Sequence, residues 1–104
     1  MMKMDFQKAF VSGVERIAAW ADLLDAINVF PVADGDTGRN LIISLTPLRT
    51  IGHHSEKTIK KLLLSARGNS GIIAARFFSG FLTADSLQKI PQAAKLGRDL
   101  AWKA

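Results

Sequence analysis

Between Phe6 and Ile27 the apolar residues Phe6, Phe10, Val14, Ile17, Trp20, Leu24 and Ile27 recur at steps of three and four, which puts them on one face of a helix. The spacing predicts one amphipathic helix over residues 5–27 and excludes a strand there, since a strand sends successive side chains to opposite faces. Gly13 costs that helix about 1 kcal/mol relative to alanine, which a stripe of this length absorbs. Pro31 disfavours helical backbone at Phe30, so the helix should stop near Asn28.

The same period returns along the rest of the chain. Leu41, Ile42, Ile43, Leu45 and Leu48 predict a second helical segment ending over residues 47–52. A third, over residues 55–66, places Ile59, Leu62 and Leu63 on one face and Lys57, Lys60 and Lys61 toward solvent. Ile72, Ile73, Phe77, Phe78, Phe81 and Leu82 predict a fourth, in which Gly80 permits a bend or a close neighbour. Asp85 and Gln88 have capping-box spacing for a short turn. Pro91 suits the first residue of a last helix with Ala93, Leu96 and Leu100 inward and Gly97 as its weak point. With no alternating stretch of convincing length, the expected class is all-α: antiparallel amphipathic helices in a single domain over residues 1–104. Trp20 and Trp102 are expected in a core or an interface.

Composition narrows the chemistry. Cysteine is absent, so disulfides, thiolate nucleophiles and Cys-based zinc sites are excluded, and a metal would need oxygen or histidine ligands. No run of about 18 apolar residues occurs, so neither a membrane span nor a signal peptide is expected, and the default setting is the cytoplasm. The net charge of +5 is uneven. Residues 1–36 hold three basic and six acidic side chains, the remainder eleven basic and three acidic. A basic half suits nucleic acid, a membrane surface or a phosphorylated small molecule. The basic residues are dispersed and no recognition-helix motif is present, which argues against nucleic acid.

Two stretches interrupt the helical pattern. Residues 28–40, NVFPVADGDTGRN, hold Pro, two Gly, two Asp and Thr, a composition for a shaped loop. Asp34 and Asp36, one glycine apart, can point the same way in a tight turn and offer a hard cation oxygen ligands, as magnesium requires. Taken alone, Asp-Gly-Asp fits a solvated turn with Asx hydrogen bonds better. An EF-hand is excluded, because Leu45 stands where that loop needs Glu. Gly68, Asn69, Ser70 and Gly71 open the fourth helix, where small residues let backbone N–H groups approach an anion at the positive end of the dipole. Alone, this stretch serves equally as a plain helix start. Together the two loops can divide the work, one carrying a metal and the other the phosphates it bridges. Arg39 and Arg67 stand beside them and could neutralise phosphate charge. The adjacent pair His53 and His54 lacks a shared helix face and reads as a surface loop.

NVFPVADGDTGRNL over residues 28–41 and SARGNSGII over residues 65–73 resemble the two signature motifs of the DhaL-type ATP-binding domain, also called the Dak phosphatase or dihydroxyacetone kinase L domain. The likeness is greatest to its fatty acid kinase branch. It implies a barrel of antiparallel amphipathic helices holding ATP or ADP at one end through Mg2+. Asp34 and Asp36 match the motif's metal-binding aspartates, and a further upstream aspartate of the dihydroxyacetone kinase branch falls near Asn28, a neutral oxygen ligand. Thr37, Gly38 and Asn40 match positions near the phosphates; Gly68, Asn69, Ser70 and Gly71 match the second phosphate-contacting loop. The implied chemistry is phosphoryl transfer to a small molecule, glycerone-like or a fatty acid, held on a partner protein.

The chain departs from the family pattern at Ala33 for Pro, Arg39 for Thr and Leu41 for Met, and in a shorter segment between the motifs. The resemblance covers nearly all of the chain but only the N-terminal half of the family's domain. A half-barrel would expose an apolar seam, which implies a homo-oligomer or a complementary chain. A non-catalytic binding or regulatory module that keeps the first helices is the alternative.

Overall fold

The computed structural model describes residues 4–27, 37–51 and 55–103, with side-chain burial from Gln7 onward. Among these residues the chain is all-α, as the apolar spacing predicts. Helix α1 spans Met4–Ala26, α2 Thr37–Leu45, α3 Ser55–Ser65, α4 Gly68–Phe81 and α5 Ile90–Trp102, with 3-10 turns at Thr46–Thr50 and Leu87–Lys89. No described helix is long and apolar enough to cross a membrane.

Packing arranges α1, α2, α4 and α5 in a row, each touching the next, while α3 lies across α4 and the turn after α2. The core is shared between them: Val14 of α1, Leu45 of α2, Leu48 and Ile51 after it, Leu62 of α3, and Ala75 and Leu82 of and after α4. Phe10 of α1 reaches across to α4, its ring edge-on to Phe78 at 6.0 Å and to Phe81 at 6.4 Å. Burying such side chains supplies the main drive for folding, roughly 1.5–3 kcal/mol for each large one.

Glycines set how closely the row packs. Gly80 of α4 and Gly97 of α5 face one another: a Cβ on Gly80 would lie 2.5 Å from the Gly97 nitrogen, and one on Gly97 would strike the Phe77 carbonyl and ring. Gly97 is therefore the contact point of α5 and no weakness in it. The inward side of α5 is Ala93 and Gly97, both buried, while Leu96 turns outward. At the other crossing, a Cβ on Gly38 would lie 2.9 Å from the Ala21 Cα.

That crossing corrects the expected stripe of α1. The buried line runs through Val14 and Ala21, whereas Trp20, one residue earlier, is 60% exposed. Only a small residue fits where α2 presses backbone to backbone. Trp102 is 89% exposed, so neither tryptophan belongs to the core of this chain. Leu63 of α3 also faces outward, leaving Ser55, Thr58 and Leu62 as its buried residues. The capping box at Asp85 does not form: Ser86 precedes the 3-10 turn with no side-chain cap, and Asp85 pairs with Lys89 at 3.3 Å.

Candidate functional site at the paired starts of two helices

Helix α2 begins at Thr37, so Thr37, Gly38, Arg39 and Asn40 form its first turn and are not loop residues. A carboxylate from the end of α1 holds that turn. The Gly38 N–H donates to Asp25 Oδ1 at 2.7 Å and the Arg39 N–H to the same oxygen at 3.3 Å. Arg39 Nε lies 3.3 Å from Asp25 Oδ2. The first amides of a helix have no partner within it and carry its positive end, so an acidic side chain there satisfies both needs. Arg39 is thereby drawn to Asp25, with its own side chain still largely exposed.

Helix α4 begins at Gly68, whose φ of +68° is the only positive value among the described residues. Glycine takes this backbone without strain, and here it is needed twice, because a Cβ would run into the Asn40 amide group. One turn on, a Cβ on Gly71 would lie 2.9 Å from Ser44 Cβ and 3.3 Å from the Asn40 carbonyl. Ser44, fully buried, accepts a hydrogen bond from the Arg67 N–H at 2.8 Å. Ser70 Oγ donates to the Thr37 carbonyl at 3.4 Å. The two motifs, some thirty residues apart in sequence, thus interlock side by side.

The two starts differ in how they end. Arg67 occupies the N-cap of α4 in extended backbone, with no side-chain cap and no acidic residue in the first turn. Gly68 and Asn69 are exposed and Ser70 is half-buried. Amides at an accessible helix start without a side-chain cap suit an anion, above all phosphate.

Of the residues singled out from the sequence, the structure brings together Thr37, Gly38, Asn40, Gly68, Ser70 and Gly71, with Asn69 on the same turn of α4. Asn28, Asp34 and Asp36 lie outside the described residues, as do His53 and His54. Among the described residues no group of three or more His, Asp or Glu could hold a metal ion. Sequence reading missed Asp25, whose partners lie 13 and 14 residues away, and Ser44, whose partner lies 23 away. An aspartate in the last turn of a helix that precedes a second helix start was the available signal for the first.

No family model matches the chain. It is 35% identical to an uncharacterized protein of Staphylococcus saprophyticus over 114 aligned positions, covering 95% of this chain and 21% of that protein. Protein YloV of Bacillus subtilis is 37% identical with the same coverage. An uncharacterized protein of Staphylococcus aureus strain USA300 is 39% identical over 85 positions, 73% of this chain and 16% of the other. The chain therefore spans about a fifth of the length of the curated relatives it matches. The longer alignment has more positions than the 104 residues here, so those relatives carry residues within it that this chain lacks.

Proposed function

We propose that this chain is the Mg2+- and nucleotide-binding portion of a DhaL-type kinase. The observation that carries the reading is the interlocking of its two motifs at the starts of α2 and α4, joined by Ser70 and Thr37 and by the seat Asn40 and Ser44 make for Gly68 and Gly71. Two motifs with unrelated structural roles have no reason to meet at one point. A site that divides metal and phosphates between them does.

The donor set fits such a ligand. The uncapped start of α4, free of acidic residues, would take the phosphates of ATP or ADP on the amides of Gly68, Asn69, Ser70 and Gly71. The start of α2 already holds a carboxylate, so Thr37, Gly38 and Asn40 serve by shaping the wall beside α4. Asp34 and Asp36, with Asn28, would hold Mg2+ by oxygen ligation, the metal neutralising phosphate charge when bound. The residues of this chain bind and orient; the acceptor, a glycerone-like molecule or a fatty acid, is presented by a partner protein. The proposed setting of this reaction is the cytoplasm.

Calorimetric titration with ADP and ATP, with and without magnesium at fixed ionic strength, tests the reading. Saturable binding that requires magnesium is expected, and Asp34→Ala or Asp36→Ala should abolish it while helical content by circular dichroism stays constant. Nucleotide binding unaffected by either substitution would overturn the metal assignment. No binding at all would favour the non-catalytic helical module.

A further inference from the structure

The row of helices has two free edges, and each carries apolar side chains that face solvent. On α1, which lies along α2 and the turn after it and meets α4 through Phe10, Trp20 is 60% and Leu23 48% exposed, and Ile27, just past the helix, is 60% exposed. Their spacing of three and four makes a second stripe, outside the buried one. At the opposite edge, α4 and α5 border an open groove of about 840 Å³, lined by Leu41, Ile73, Phe77, Arg98 and Trp102 among others. Ile73 is 48% and Trp102 89% exposed. Among the described residues α1 and α5 do not touch.

We propose that these edges pair with each other between two copies of the chain. The stripe of α1 from one copy lies in the α4–α5 groove of the second, and the second returns the same contact. Helix-in-groove recognition uses apolar anchors at i, i+3 and i+7, the spacing of Trp20, Leu23 and Ile27. Charge agrees with the pairing: the half of the sequence that carries the stripe is net −3, the half that carries the groove net +8. Asp22, exposed beside Leu23, has no ion pair among the described residues, and neither has Lys95, one and two helical turns before the groove residues Arg98 and Trp102. A reciprocal two-fold contact between two copies satisfies both edges at once and closes. The groove also reaches Ser70 of the proposed phosphate-binding turn, so the pairing is read without nucleotide, and its failure leaves the nucleotide reading standing.

Sedimentation velocity of the 104-residue chain over a concentration series, without nucleotide, supplies the test. The expected mass at the upper end is twice 11.3 kDa. Because Trp20 and Trp102 are the two tryptophans of the chain and both sit on the paired edges, their emission should shift to shorter wavelength as the dimer forms. A stripe variant, Trp20→Asp with Leu23→Asp, and a groove variant, Ile73→Asp with Trp102→Asp, should each be monomeric with unchanged helical circular dichroism. Mixed in equal amounts they should regain dimeric mass, more weakly, since one of the two contacts is intact. A chain that stays monomeric throughout, variants that dimerise like the parent, or a mixture that stays monomeric would overturn the proposal.

Discussion

Two helix starts lie side by side in this molecule and are finished in opposite ways. That of α2 is closed from within by Asp25, which takes two backbone N–H groups and the Arg39 side chain. That of α4 has no side-chain cap and is kept narrow by glycines. The lesson is that similar local chemistry, small residues at the positive end of a helix, splits into a structural end and an open one according to what the neighbouring helix supplies. Of the two, the end without a side-chain cap is the one suited to a ligand.

The largest blow to this comparison should come at Gly71, where the two starts touch. Gly71→Val drives side-chain atoms into Ser44 and the Asn40 carbonyl, and overpacking of this kind should cost about 2–3 kcal/mol. Thermal unfolding should show a clearly lowered midpoint, and a midpoint unchanged or raised would mean that the contact yields easily. A smaller loss is expected from Asp25→Ala, which strips the cap from α2; chemical denaturation should register about 1–2 kcal/mol. The smallest effect has the opposite sign. Arg67→Asp gives α4 the cap it lacks and should stabilise the fold by about 0.5–1 kcal/mol. If the open start serves phosphate, the same substitution should weaken nucleotide binding in calorimetry; tighter binding would show that the phosphates lie elsewhere.

The sequence period located α1 to within a residue at either end, because a long stripe with a proline beyond it leaves little freedom. What it could not do was choose between Trp20 and Ala21, since both stand three or four residues from Ile17. That choice is made by Gly38, a residue of another helix. For the same reason Thr37–Asn40 read as loop: a glycine looks like a breaker until the neighbour that needs it is known. Gly97 carried the same ambiguity. Gly68 to Gly71 carried it too, read as a loop leading into the fourth helix and found as its first turn, whereas Asp25 was missed because its partners lie 13 and 14 residues away and only its place in the last turn of α1 hinted at them. His53 and His54, like the aspartates of the first motif, lie outside the described residues.

The contact between Gly80 and Gly97 has a mechanical consequence. Where two helices meet through side chains, one can slide along the other by rotamer changes; here backbone meets backbone with no such cushion. Sliding α5 along α4 by a turn would bring a side chain to a place that has no room for one. The two helices are keyed like a shaft in its hub, so a push on α5 passes to the last turns of α4 without slack.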